Sequence, residues 1–172
     1  RPTIRGVFPV FKYFQTNANI YGLDLSSQYT IGNVINGQLK YSYIKGQDSK
    51  ENIPLVFIPA NRMYCSVAYR PKNGVRLFDS FVLEDLELEW NANYVFNQDN
   101  ILLDQDFVAP PEAYFLMGMK LSADIVFPTT KLGFFINVDN LLNVAYRDYL
   151  NRQRYFADEL GRSVTFGVNL KF

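Results

Sequence analysis

Histidine is absent from the 172 residues, and cysteine occurs once, at Cys65. Without histidine the chain cannot form Ser-His or Cys-His catalytic pairs, and a lone cysteine excludes an internal disulfide and argues against a zinc cluster. Lysine plus arginine and aspartate plus glutamate both total 17, so no overall basic field predicts a nucleic-acid partner. We therefore expect no catalytic residues, no metal site and no cofactor, and the protein is not predicted to be an enzyme.

Long apolar runs are also missing. No run approaches the roughly 18 consecutive apolar residues expected of a membrane-spanning helix, so any membrane contact must be made through strands. The first residues, RPTIRGVFPVF, lack the charged-then-apolar design of a secretion signal. They predict a mature chain or an excised piece.

The sequence does contain long stretches of strict alternation, of which residues 162–172 are the clearest. Side chains of a strand point to opposite faces with a period of two, so this segment has one apolar and one polar face. A chain that ends on such a strand with a terminal aromatic residue is typical of bacterial outer-membrane barrels. The apolar face carries Val164, Phe166, Val168, Leu170 and Phe172.

The same period recurs along the chain and predicts about eight strands. Such strands exceed the usual globular length of about five or six residues and match the roughly nine to eleven that cross a membrane. No segment longer than a turn or two has a helical period, so we predict an all-β, antiparallel up-and-down meander forming one β-barrel segment, residues 1–172. The predicted strands are 7–14, 18–31, 37–45, 62–70, 85–96, 112–127, 131–138 and 162–172.

The lengths of the connections alternate. Short links at 32–36, 71–80 and 128–130 alternate with long ones at 46–60, 97–111 and 140–161, although the short link 15–17 falls at the long-loop end. Short turns at one end and long loops at the other are typical of membrane barrels. A lipocalin-like soluble barrel also alternates but turns its apolar faces inward, and a small closed eight-stranded barrel with a binding or structural role remains open.

In each of the last four predicted strands, the apolar side chains occupy every second position. They therefore lie on a single face of the sheet. If the chain lies in a membrane, that face would contact lipid and the opposite face would line the interior. The predicted lipid-facing residues are Leu88, Trp90, Phe115, Met117, Phe134, Ile136, Phe166 and Val168.

Three stretches resemble the C-terminal part of the barrel of TonB-dependent outer-membrane receptors. They are FPVFKYFQTNANIYGLDL (8–25), IPLVFIPANR (53–62) and VDNLLNVAYRDYLNRQRYFADELGR (138–162). The third is similar to the family's Asn-Leu-Phe-Asn-x-x-Tyr segment, its last loop and the Gly-Arg that opens the final strand. Leu142 and Leu160 stand where the family commonly has Phe and Pro.

This resemblance implies the C-terminal strands of a barrel of about 22 strands with a plugged lumen; neither the plug nor the TonB box is found in this sequence. It also implies a location in the outer membrane of a Gram-negative bacterium. The implied function is TonB-dependent uptake of a scarce nutrient such as an iron chelate, cobalamin or an oligosaccharide. The implied partners are the TonB complex through the plug region, outer-membrane lipid and lipopolysaccharide, and the barrel assembly machinery.

The loop 140–161 carries the candidate ligand-binding residues. Guanidinium groups offer planar paired donors to carboxylate or phosphate, and tyrosines add flat amphipathic contact area. The alternative is that Asp148, Asp158 and Glu159 neutralise the arginines and fix the loop, or that the loop contacts lipopolysaccharide. The candidates are Tyr146, Arg147, Tyr149, Arg152, Arg154 and Tyr155.

Two further predictions concern carboxylates and the last residue. The pairs Glu87/Glu89 and Asp104/Asp106 are interpreted as hydrated surface or lumen charge rather than acid-base or cation-binding pairs. By the resemblance, Phe172 is an assembly signal read by the barrel assembly machinery, the alternative being plain packing of a terminal strand.

Overall fold

The computed structural model describes residues 2–3, 6–7, 10, 15–78, 81–102, 106–127 and 129–171. Over these residues it is all-β apart from one short 3-10 helix, Arg152–Tyr155, which confirms the predicted fold class. A two-stranded pair joins β1 (Pro2–Thr3) to β2 (Gly6–Val7). The main sheet contains β3 (Ala18–Ile31), β4 (Ile35–Asp48), β5 (Arg62–Tyr69), β6 (Val75–Phe78), β7 (Phe81–Val95), β8 (Tyr114–Val126), β9 (Lys131–Asp139) and β10 (Ser163–Lys171).

The main sheet is the predicted antiparallel meander. Its order is β10-β9-β8-β7-β5-β4-β3, and β6 pairs with β7 beside β5. The links 49–61, 96–113 and 140–162 therefore all lie at the same end of the sheet, as the alternating lengths predicted. Among the described residues, no helix is long and apolar enough to cross a membrane.

Two predicted features of the N-terminal half differ from the structure. The link predicted at 71–80 is wrong, because Val75–Phe78 forms β6 and continues the path of β5 along β7. Pro71 has no backbone N–H to donate, so the ladder is interrupted there and resumes after Gly74. Of the predicted strand 7–14, only Val7 lies in an observed strand, Val10 lies outside strands, and the other residues lie outside the described ranges.

The registers of the strands give the sheet one apolar and one polar face. Val168 pairs with Phe134, which stands opposite Ala123 one strand further along. Phe166, Ile136, Leu121 and Leu88 form a parallel row across four strands. All eight residues predicted to share a face do share it. The opposite face carries Thr165, Asn169, Asn137, Lys120, Ser122, Glu89, Asn91, Asn93, Ser66, Gln38 and Ser42.

A bulge in β7 keeps the apolar face continuous. Glu84 pairs with Asp124 and Glu87 pairs with Ser122, so β7 has one more residue than β8 between these pairs. Asp85 lies in the bulge with φ 49°. In the sequence, Leu83 and Leu88 have opposite parity, and the extra residue brings both to the same face.

The buried core lies on the polar face at the long-loop end. Ala60, Val95 and Tyr114 form a buried cluster against which Leu116 and Tyr146 pack. Val95 pairs with Tyr114 across the sheet, and Tyr146 comes from the last loop. The loop end of the sheet is therefore capped by a packed structure, whereas much of the apolar face is exposed.

Candidate functional site

Three long loops meet at the cap. Phe57 comes from the loop 49–61, Asp106 from 96–113, and Tyr149, Arg154 and Tyr155 from 140–162. The ring centroids of Phe57 and Tyr149 are 6.1 Å apart, and the hydroxyl of Tyr155 donates to Asp106 Oδ1 at 2.7 Å. We refer to these five residues as the loop cluster.

Arg154 is the centre of the loop cluster. Its side chain is 1% exposed, and its guanidinium donates to the carboxylate of Asp106, which is 11% exposed. The guanidinium carbon lies 4.9 Å from the ring centroid of Tyr149 and 4.6 Å from that of Tyr155. The carboxylate and the two aromatic faces thus offset much of the cost of removing this cation from water, although its Nε has no hydrogen-bond partner among the described residues.

The tyrosines of the last loop remain hydrogen-bond donors across the physiological range. Burial, and then the hydrogen bond to Asp106, raise the pKa of Tyr155 to about 12. Burial raises the pKa of Tyr149 and of Tyr146 above their ordinary value. None of these hydroxyls is poised to act as a base near neutral pH.

A second set of contacts joins the last loop to the sheet. The hydroxyl of Tyr114 donates to Asp148 Oδ2 at 2.8 Å, and the rings of Tyr114 and Tyr146 are 4.6 Å apart. Arg147 Nε donates to Asp158 at 2.5 Å, and its Nη1 donates to the carbonyl oxygen of Arg154 at 2.9 Å. Arg147, in the first half of the loop, therefore binds two residues of its second half.

Two asparagines close the base of this loop. Asn140 donates to the carbonyl of Val144 at 2.9 Å and to that of Leu160 at 3.4 Å, and it accepts from Val144 N at 2.9 Å. Asn143 accepts from Arg162 N at 2.8 Å. Both adopt positive φ, 49° and 55°, where asparagine is tolerated better than most residues. The sequence signal for this role is the pair of asparagines in VDNLLN, which was not among the predicted site residues.

A cavity of about 350 Å³ lies beneath the base of the loop, on the polar face. Gly118 lies directly opposite Asn91 across the sheet, and Asn93 is the next polar-face residue of β7. Tyr146, Leu160 and Gly161 contribute the loop side. We refer to this space as the asparagine cavity; its polar lining residues are Asn91, Asn93, Asp139, Asn140, Tyr146 and Ser163.

The structure separates the six predicted ligand-binding residues. Arg154 and Tyr149 are buried in the loop cluster, and Tyr155 is half-buried beside them. Arg152 is exposed, with its guanidinium carbon 5.5 Å from the ring centroid of Phe57. Tyr146 and Arg147 line a cavity of about 500 Å³ with Pro111, Leu142 and other residues. Their ligand-binding role stays a prediction.

The acidic residues are also only partly as expected. Asp158 pairs with Arg147, but Asp148 binds Tyr114, and Glu159 accepts from the amide of Asn151. The interpretation of Asp106 as hydrated charge is wrong, because its carboxylate is bound to buried Arg154. Its predicted companion Asp104 lies outside the described residues, as does Phe172. Glu87 and Glu89 share the polar face, where Glu87 pairs with Arg70 at 3.0 Å.

Within the described ranges, no group of three histidine, cysteine, aspartate or glutamate side chains converges to hold a metal ion. The contacts of the loop cluster instead hold the three loops together. It fixes the surface that the three loops present.

Comparison with known proteins finds similarity at the level of the fold. No protein-family model and no curated protein matches the sequence. A solved structure named as the copper transporter OprC is similar in fold, with a TM-score of 0.70 and 19% identity. The match covers 88% of this chain and 23% of that one. The likeness shows that this chain folds as a segment of a much larger transporter chain does.

Proposed function

We propose that the chain forms part of the wall and three outer loops of an outer-membrane receptor that takes up a scarce nutrient with energy delivered by TonB. The observation that carries the proposal is the two-faced sheet with its apolar face exposed. Phe166 is 78% exposed, and Trp90, Phe115, Ile136 and Val168 on the same face are exposed as well. A contiguous apolar surface of this extent suits lipid far better than water.

The edges of the sheet support the same proposal. The described sheet runs from β10 to β3 without pairing between these two strands. An open edge does not persist in lipid, because every backbone N–H and C=O needs a partner there. Partner strands beside β3 and β10, as in a larger barrel, would satisfy these edges. The open order of these strands also argues against the small closed barrel.

Two observations support TonB dependence and the uptake of a scarce nutrient. The sequence resembles TonB-dependent receptors in three stretches, and the fold resembles part of a transporter chain. On the described part of the polar face, no thiol or thioether group offers a soft ligand for the copper named for that relative. Soft copper ligands are thiol and thioether groups, and Met63, Cys65, Met117 and Met119 all lie on the apolar face.

The lipid-facing assignment is tested by placing one charge on either face of β10 in the full-length receptor. Phe166→Arg puts a charge on the apolar face, where arginine costs about 2–4 kcal/mol at the bilayer midplane. Thr165→Arg, its neighbour on the polar face, is the matched control. We expect the heat-modifiable folded receptor in the outer membrane to fall markedly for Phe166→Arg only. Equal tolerance of both variants would contradict the proposal.

Transport is tested separately in cells. Uptake of iron chelates, cobalamin and oligosaccharides is measured with and without the receptor gene, in strains that have or lack TonB. We expect one class to enter only when both are present. Uptake that persists without TonB would exclude the energy source we propose.

A further inference from the structure

The asparagine cavity contains polar groups that have no partner. Among the described residues, neither the Asn91 nor the Asn93 side chain has a hydrogen-bond partner, and both are half-buried. A half-buried amide without a partner loses free energy unless water or a ligand bonds it. Each amide offers one acceptor and two donor hydrogens in a plane.

Gly118 gives the Asn91 amide its position. A Cβ atom at Gly118 would lie 2.7 Å from Asn91 Oδ1 and 3.0 Å from Nδ2. The amide therefore lies against bare backbone on the neighbouring strand. Gly118 and Asn91 both line the cavity.

The charge of the lining restricts what can bind. Asp139 is the charged member of the lining, and its carboxylate already accepts from Asn137 at 2.8 Å. An anionic ligand would meet this carboxylate with no lining cation to offset it. A neutral ligand with many hydroxyls would find amide, hydroxyl and carboxylate partners instead.

The shape of the cavity agrees with that chemistry. A sugar ring has hydroxyls around its edge and C–H groups on its faces, and an aromatic ring such as that of Tyr146 offers a flat surface for such a face. The volume of about 350 Å³ is near the lower end of the roughly 300–1,000 Å³ of small-molecule sites. This is room for one or two sugar rings.

We infer that the asparagine cavity is a binding subsite for a neutral carbohydrate. The inference rests on the proposed function, because it names the class of nutrient that the receptor takes up. Asn91 and Asn93 would bond ring hydroxyls, and Tyr146 would contact a ring face. Leu160, whose carbonyl accepts from Asn140, and Gly161 complete the lining on the loop side.

The test uses the full-length receptor purified in detergent and an array of neutral and acidic oligosaccharides, with affinities measured by calorimetry. The variants are Asn91→Ala, Asn93→Ala and Gly118→Ala, the last of which removes no polar group but displaces the Asn91 amide. Asn169→Ala, also an asparagine on the polar face but outside the cavity, is the matched control. Heat-modifiable migration verifies that each variant is folded.

We expect at least one neutral oligosaccharide to bind, each cavity variant to weaken it at least tenfold, and Asn169→Ala to stay within twofold. If no neutral sugar binds, or if acidic sugars bind better, the inference is overturned. Binding unchanged in all three cavity variants would show that the cavity is only a hydrated wall. Sugar binding without TonB-dependent uptake would count against the proposed function alone, whereas uptake of another nutrient class without sugar binding would overturn only this inference.

Discussion

The two ends of the sheet use the same ionic chemistry in different environments. At the long-loop end, Arg154 and Asp106 are 1% and 11% exposed. Towards the short-turn end, Arg70 and Glu87 form an ion pair with 53% and 19% of their side chains exposed. The first pair joins two loops 48 positions apart in sequence, whereas the second joins neighbouring segments of one hairpin.

This contrast separates the parts of the fold that hold shape from the parts that tolerate change. A buried ion pair contributes little in net terms, but removing one partner leaves an uncompensated charge. An exposed pair is screened by water and salt. The loop end should therefore be sensitive to single substitutions, and the turn end should not.

The largest effect is expected for Asp106→Ala. This change leaves the Arg154 guanidinium buried without its carboxylate, which typically costs about 3–5 kcal/mol. We expect the local free energy of opening, measured by hydrogen exchange of the backbone amides in 140–162, to fall by about that amount. The double variant Asp106→Leu, Arg154→Met should recover most of the loss. No loss in Asp106→Ala would show that the pair does not hold the loops.

Asn140→Ala should have the next largest effect. It removes hydrogen bonds to Val144 and Leu160 and places alanine at a φ of 49°. We expect a loss of about 2 kcal/mol in the same exchange measurement, because buried backbone groups lose their partners. Asn140→Gly separates the two causes, since glycine tolerates the backbone angle but restores no hydrogen bond. If the Asn140→Ala variant is as stable as the wild type, Asn140 does not hold the base of the loop closed.

High pH should weaken the loop cluster through Tyr155. Its pKa is about 12 in the folded protein and about 10 in an unfolded chain. Its contribution to stability is therefore complete below about pH 10 and is lost as the pH rises through about 12. Ultraviolet titration of tyrosinate should show several late-titrating groups, because burial also raises the pKa of Tyr149 and of Tyr146, and one of these groups should be missing in Tyr155→Phe. Identical titration curves for the wild type and Tyr155→Phe would mean that the Tyr155 hydroxyl is exposed to water.

Arg70→Ala should have the smallest effect. The pair with Glu87 is exposed, so its loss should cost less than about 1 kcal/mol and should shrink further in high salt. The temperature at which heat-modifiable migration is lost should stay close to that of wild type. A loss as large as that of Asp106→Ala would break the contrast between the two ends.

Alternation along the chain predicted most of the sheet because it is a local property. The predicted strand 18–31 has the same bounds as β3, and the boundaries of most other strands differ by a few residues. The strand β6 was missed because Pro71 and Gly74 look like turn residues. They interrupt one long arm of a hairpin and do not end it.

The loop cluster could be predicted only in part because its partners are distant in sequence. The residues of 140–161 indicated a site rich in arginine and tyrosine, and the structure places two of these tyrosines around the buried guanidinium of Arg154. Nothing local marks Asp106 as the partner of Arg154. The role of Gly118 likewise depends on Asn91 of the neighbouring strand, which only the register reveals.

The bulge at Asp85 shifts the alternation of apolar and polar residues in β7 by one position. Before the bulge the apolar positions are odd-numbered, and after it they are even-numbered. Removing this one residue would restore an unbroken alternation and keep Leu83 on the apolar face with Leu88. Related sequences with a regular β7 should therefore carry a single-residue gap here when aligned to this one.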